Sequence, residues 1–198
     1  MKKKILSLAI IATTTSLLAQ TPTSSDELFA GIDLNAGSGS VKLHSSNGTN
    51  YTFTDSDSVS ANAFKAYAGY QSLYAFYEHG GISPDTRYLN DLTYDAIGLG
   101  FLRRATFWKK TIAGVEIVPE GDFEIGYDKV TGSGFDASGL LLAFDAGIST
   151  HIESWKNISL TAGVGYDIHV VNDNTSTNLD GSWNFTSLNV NVGVRYDF

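Results

Sequence analysis

The sequence predicts an all-β fold, an eight-stranded antiparallel up-and-down barrel that crosses a membrane. Three observations predict it: long segments in which apolar and polar residues alternate, an N-terminal export leader, and no apolar run after residue 20 long enough for a transmembrane helix. Strict alternation is typical of a strand with one apolar and one polar face. The last segment shows it best, because one parity holds Val190, Val192, Val194, Tyr196 and Phe198.

The first residues resemble a secretory signal peptide. Lys2, Lys3 and Lys4 precede an apolar stretch from residue 5 to residue 18, and Ala19 is a plausible cleavage point. We therefore expect three parts: a signal peptide over 1–19, a short periplasmic segment over 20–27, and a barrel domain over 28–198.

Composition excludes several classes of function. The formal net charge is −8, and loss of the three leader lysines leaves 10 basic groups against 21 acidic ones, a net charge of −11. An acidic protein of this kind is not attracted to phosphate backbones, so nucleic acid is not an expected partner. The chain has no cysteine, which excludes disulfides and a lipoprotein anchor.

Alternation divides the chain into eight strands of about 9 to 19 residues, which is long for a globular protein. A soluble barrel would show Lys and Glu on its polar face, whereas Gly, Ser and Asn prevail here, as in a barrel that is apolar outside and polar inside. We expect a bulge near Pro119 and Gly121, and the exact registers stay open. The strands are predicted near 28–36, 59–70, 73–78, 92–103, 111–129, 136–152, 156–170 and 183–198.

Parity also places charged residues in the lumen. Two interpretations stay open: an internal network of ion pairs that fills a narrow barrel, and an acid-lined pore that passes small cations. The lumen candidates are Asp33, Lys65, Glu116, Glu124, Asp145, Asp167 and Arg195.

Tryptophans near strand ends predict aromatic girdles at the membrane surfaces. Trp108 and Trp155 each precede a lysine at a predicted periplasmic turn, in "FWKKTIAGVEI" and "SWKNISLTAGVGY". Trp183, near the fourth outer loop, is predicted to lie in the opposite girdle.

No constellation of residues indicates catalysis, a metal or a cofactor. Ser149 and His151 share a parity but point inward, and His169 has Asp167 beside it without a matching serine. His44 and His79 fall in predicted loops. We therefore expect no enzymatic activity and no cofactor.

The C-terminal "NVGVRYDF" resembles the terminal signature of bacterial outer-membrane β-barrels, carried by Asn191, Gly193, Tyr196 and Phe198. The whole chain resembles the small OmpA-type and opacity-protein-like barrels, the eight-stranded "porin family", without a periplasmic peptidoglycan-binding domain. The resemblance implies a Gram-negative outer membrane, contact with its lipid and lipopolysaccharide, and recognition of the signature by the barrel-assembly machinery, which resembles strand addition.

The predicted function is a structural or surface-interaction role, as an adhesin or surface antigen, that depends on the loops. A narrow, weakly cation-selective pore is the alternative, and an enzyme that modifies outer-leaflet lipid is a distant third. The sequence leaves the ligand, conduction and the oligomeric state open.

Overall fold

The computed structural model describes residues 28–45, 58–85, 90–132, 134–155, 157–173 and 181–198. The predicted signal peptide and the segment 20–27 lie outside the described residues. The same is true of residues 46–57, most of the predicted connection between the first two strands. Within the described residues, no helix is long and apolar enough to cross a membrane.

Nine strands form the described part of the chain. Two single-turn 3₁₀ segments, Thr106–Trp108 and Glu153–Trp155, lie in the connections. The strands are β1 (Leu28–Ser45), β2 (Ser58–Tyr70), β3 (Leu73–Pro84), β4 (Leu92–Arg104), β5 (Lys110–Ile112), β6 (Val115–Gly132), β7 (Phe135–Ile152), β8 (Ile158–Asp173) and β9 (Gly181–Asp197).

Antiparallel pairing closes these strands into one barrel. β1 pairs with β2 on one side and with β9 on the other, and β4 pairs with β6, so eight long strands complete the circle. Starting at Leu34, one can step from each residue to its register partner on the next strand around the barrel. This path returns to β1 at His44, ten residues further along the chain. That stagger over eight strands corresponds to a tilt of about 40°. The predicted fold class is confirmed.

The outer wall carries an apolar band. Ile32 and Leu34 on β1 are 50% and 59% exposed, and Val190 and Val192 on β9 are 59% and 52% exposed. A closed barrel with its apolar side chains outside suits lipid, where every backbone group needs an internal partner. The inner end of the barrel carries residues 28 and 198 and the short turns, and the outer end carries the longer connections.

The predicted fifth strand, 111–129, is two strands in the structure. Ala113 and Gly114 form a tight turn with φ of 51° and 79° between β5 and β6, the left-handed conformation that two-residue hairpins need.

The bulge predicted near Pro119 and Gly121 is absent. β6 and β7 keep one register through both residues. Pro119 is tolerated because of what lies on the side of β6 away from β7. There the pairing with β4 ends at Arg104↔Glu120 and the pairing with β5 begins at Lys110↔Ile117, so Pro119 lies in the unpaired gap between them. No strand there requires its missing N–H.

Several strands continue beyond the apolar band at the outer end. β1 extends over 37–45, a rise of about 20 Å at this tilt, and β3 extends to Pro84. In these extensions the alternation reverses: Val41 and Val59 are buried inside, whereas Lys42 and Ser60 are exposed. The reversal explains why the first predicted strand, 28–36, was too short.

Candidate functional site: the barrel interior

Apolar side chains fill the outer end of the lumen. Trp183, Phe185 and Phe135 form its aromatic part, with ring centroids 5.6 Å (Phe135–Trp183) and 6.3 Å (Trp183–Phe185) apart. All three are at most 3% exposed. We call this group, with its aliphatic neighbours, the outer plug. The aliphatic members are Val41, Val59, Ile82, Leu92, Val130 and Val171.

This position corrects the prediction for Trp183. Its side chain is 1% exposed and points into the barrel, so it does not belong to a lipid-facing girdle. The reversed alternation of the strand extensions places it inside. Trp108 and Trp155, by contrast, are 64% and 46% exposed at the inner end, and their membrane contact stays a prediction.

On the inner side of the plug, polar side chains from neighbouring or nearby strands pair with one another inside the lumen. His169 Nδ1 lies 2.7 Å from Asp128 Oδ2, and both side chains are almost fully buried. The Tyr94 hydroxyl donates a hydrogen bond to Glu78. Asn189 donates its amide to Asp167. Each buried polar group therefore gains a partner that water would otherwise supply.

One lysine is the cationic centre of the middle of the lumen. Lys65 Nζ lies 2.8 Å from Glu124 Oε1 and 3.9 Å from Asp33 Oδ2. The Tyr74 hydroxyl donates to the same Glu124 oxygen at 2.6 Å. Lys65 and Glu124 are 4% and 1% exposed, so each depends on the other for compensation of its charge.

An ion-pair network occupies the inner end. Arg195 Nη1 donates to Glu120 Oε2 at 2.9 Å, and Arg195 Nε lies 3.5 Å from Asp197 Oδ1. Arg104 Nη2 donates to the same Asp197 oxygen at 2.8 Å. We call these four residues the inner ion-pair layer.

A polar cavity of about 40 Å³ lies between Lys65 and Arg195. That volume holds two or three water molecules. Asn191 Nδ2 donates to Asp145 Oδ1 at 2.5 Å, and Thr161 Oγ1 donates to Asp33 Oδ1 at 3.2 Å. Asp122 also lines the cavity, opposite Asp145 in the register. The cavity is acidic and small.

The structure places six of the seven predicted lumen charges inside: Asp33, Lys65, Glu124, Asp145, Asp167 and Arg195. Glu116 is the exception and corrects the prediction. It lies on the β5–β6 hairpin beyond the inner end, where Lys109 Nζ pairs with it at 2.8 Å and its side chain is 33% exposed.

Other interior residues were not selected from the sequence. Glu120, Asp122 and Asp128 have the parity of Glu124 on the same strand, so parity was sufficient to find them. Alternation could not assign Glu78 to the lumen, because β3 has aromatic residues on both parities, in "LYAFYEHG".

Among the described residues, the two histidine groups considered from the sequence do not form inside the barrel. Ser149 donates a long hydrogen bond, 3.5 Å, to the Val118 carbonyl, and His169 pairs with Asp128 rather than with Asp167. His79 lies on β3 and not in a loop as predicted. Among the described residues, no group of three or more His, Asp or Glu side chains could hold a metal ion.

The residues of the C-terminal signature divide between the two faces of β9. Asn191 points inward to Asp145, and Gly193 lies opposite Asp33 in the register. Tyr196 and Phe198 point outward with ring centroids 4.9 Å apart. Recognition of these residues during assembly stays a prediction.

Several solved structures have a similar fold. The Neisserial surface protein A (NspA) matches with a TM-score of 0.50 and 17% identity over 88% of this chain and 98% of that chain. OprG from Pseudomonas aeruginosa matches with a TM-score of 0.44 and 13% identity, over 88% of this chain and 96% of that chain. AlkL matches with a TM-score of 0.49 and 12% identity, over 90% of this chain and 95% of that chain.

At these identities the likeness concerns the fold alone. No protein-family model matches the sequence, and no curated protein matches it. The closed barrel, its apolar band and the likeness to NspA agree on the fold: the chain is a small closed β-barrel whose apolar side chains face outward, the arrangement of membrane-spanning barrels.

Proposed function

We propose that this protein is a closed, non-catalytic barrel that holds its outer segments at the cell surface, where they contact other molecules. The filled lumen is the observation that supports this role most strongly. The outer plug occupies the outer end with buried aromatic rings, and the inner ion-pair layer occupies the other end. A barrel filled at both ends acts through its outer surface.

The strand extensions support the same role. β1 and β9 remain paired from Ser45↔Gly181 down through the apolar band, so the outer connections are carried on a continuous sheet. The outer surface of the extensions is polar, with Ser58, Ser60 and Lys42 exposed. Such a wall suits water and the headgroup region.

Three partners belong to this proposal. Outer-membrane lipid and lipopolysaccharide surround the apolar band and its rim. The barrel-assembly machinery recognises the terminal signature that ends at Phe198. A surface ligand contacts the outer connections.

The narrow cation-selective pore remains the second candidate, and one observation favours it. The cavity between Lys65 and Arg195 is lined by Asp33, Asp122 and Asp145, an excess of acid that attracts cations. In this alternative the plug opens and the acidic cavity selects the ion.

Conductance of the refolded protein in a planar bilayer, under a salt gradient, separates the two candidates. A closed barrel gives no steady current. The double variant Trp183→Ala/Phe185→Ala, which removes two of the three rings of the outer plug, then also stays silent, because the inner ion-pair layer still fills the other end. Steady cation-selective steps from the unmodified protein contradict the proposal.

Matched substitutions sharpen this test. If the protein conducts, Asp145→Asn in the cavity reduces cation selectivity, whereas Glu116→Gln, which lies beyond the inner end, does not. Equal effects of both substitutions would exclude the cavity as the selective element.

A further inference from the structure

A hydrogen-bonded group of polar residues lies on the outer wall, where lipid-facing residues are expected. The Tyr77 hydroxyl donates to Asp95 Oδ1 at 2.5 Å, and His79 Nδ1 lies 2.9 Å from the same oxygen. The side chains of His79 and Asp95 are 55% and 54% exposed. We call Tyr77, His79 and Asp95 the outer-wall triad.

The triad lies at the edge of the apolar band that is nearer the outer end of the barrel. On β3 the outward residues below it are Leu73 and Ala75, and on β4 they are Leu99 and Ile97, all exposed. Above it the outward residues are Gly81, Ser83 and Thr93. The triad therefore lies at the height where lipid headgroups meet the barrel.

A carboxylate at this height is costly unless the surroundings satisfy it, because the barrel supplies partners only from its own wall. Both hydrogen bonds from the triad end on Oδ1 of Asp95. Since Nδ1 of His79 is engaged, Nε2 is the ring nitrogen that remains for an external partner. The triad thus presents a carboxylate and an imidazole outward.

A cation lies next to the triad. Lys129 is the register partner of Asp95 on β6. Its side chain is 50% exposed, and its ammonium lies 3.7 Å from Asp136. His79, Asp95 and Lys129 follow one another across three strands, a span of about 10 Å at ordinary strand spacing. Hydrogen-bond acceptors and donors on these three side chains therefore alternate over a distance that matches a sugar ring with one substituent.

We propose that the outer-wall triad, with Lys129, binds the phosphorylated sugar headgroup of an outer-leaflet glycolipid. Sugar hydroxyls donate to Asp95 and to Nε2 of His79, the phosphate accepts from Lys129, and the Tyr77 ring packs against the sugar. The height of the site selects a lipid as the source of the sugar, because its acyl chains lie beside Ile97 and Leu99 while its headgroup reaches the triad.

The test uses the full-length protein in phosphatidylcholine nanodiscs into which fluorescent lipid A is titrated. Asp95→Asn and His79→Gln are each expected to weaken binding about tenfold, the effect of one lost hydrogen bond to a charged group. Lys42→Gln is the matched control, since it removes an exposed charge from the outer wall of β1 and leaves the triad intact. Equal affinities of Asp95→Asn and Lys42→Gln would overturn the proposal.

Two further readouts separate binding from a structural role and from recognition of free sugar. In nanodiscs of phosphatidylcholine alone, Asp95→Asn is expected to leave the urea midpoint of unfolding unchanged, and a large decrease there would make the triad a structural element. The deacylated sugar phosphate is expected to compete poorly. Competition as effective as that of intact lipid A would overturn the assignment to a lipid.

Discussion

The two ends of the barrel are built from the same strands with opposite polarity. Within the apolar band, Ile32 and Leu34 of β1 face outward and Asp33 faces the lumen. Further along the same strand, Val41 faces the lumen and Lys42 is exposed. The strand keeps its pairing throughout. The environment outside the wall therefore decides which parity is apolar: lipid surrounds the apolar band, and water surrounds the extensions at the outer end.

The reversal also changes what stabilises each part of the lumen. The outer plug depends on burial and close packing of Trp183, Phe185 and their neighbours. The middle and inner parts depend on charges that compensate each other, such as Lys65 with Glu124. Substitutions in the outer plug should therefore be sensitive to the size of the side chain, and substitutions in the middle and inner parts to the loss of a charge.

The largest expected effect is in the plug. Trp183→Ala removes a fully buried ring and should lower the free energy of unfolding by about 3–5 kcal/mol. Because no charge is involved, the loss should be the same at acid and neutral pH, measured by urea unfolding in vesicles. The control is Trp155→Ala, whose ring is half exposed and should cost less. A loss that varies strongly with pH would contradict an apolar plug.

Lys65→Met should have a comparable effect, through charge rather than through packing. The variant leaves Glu124 buried without its cation, at a cost of about 3–5 kcal/mol. Urea unfolding of both proteins in vesicles measures this cost. A cost no larger than that of an exposed ion pair, below about 1 kcal/mol, would contradict the dependence of Glu124 on Lys65.

Gly193→Ala should have an intermediate effect. A Cβ at this position would lie 1.8 Å from Asp33 Oδ1 and 2.5 Å from the Ile32 carbonyl oxygen. The lumen carboxylate and the strand must therefore shift, at a cost of about 1–3 kcal/mol. Gly121→Ala is the control, because its Cβ meets only the Asp145 carbonyl oxygen at 3.2 Å. Equal unfolding free energies of the two variants would contradict the packing described around Asp33.

Lys129→Met should have the smallest effect on stability. Its ion pair with Asp136 is half exposed on the outer wall, where such pairs contribute less than about 0.5 kcal/mol. It is the surface counterpart of Lys65→Met, measured by the same unfolding experiment. A cost close to that of Lys65→Met would mean that the exposed ion pair contributes as much to stability as the buried one.

The sequence was sufficient for the barrel and for most of the lumen within the apolar band. Alternation identified the outward residues of β9 and placed Asp33, Lys65 and Asp145 inside, because lipid keeps one parity apolar along each strand. Alternation could not place Trp183, because the phase reverses where the wall leaves the lipid. Nor could it place Glu116, whose parity is correct but whose strand has already passed the inner end of the barrel.

The environment of Trp183 tests the central claim, that the outer end of the lumen is apolar and filled. A variant with Trp108→Phe and Trp155→Phe leaves Trp183 as the one tryptophan of the chain, so its fluorescence can be measured alone in vesicles. If the outer end is apolar and filled, we expect a blue-shifted emission that neither aqueous acrylamide nor brominated lipid chains quench strongly. Strong quenching by acrylamide would show an open, wet mouth, and strong quenching by the brominated lipid would return Trp183 to the membrane girdle.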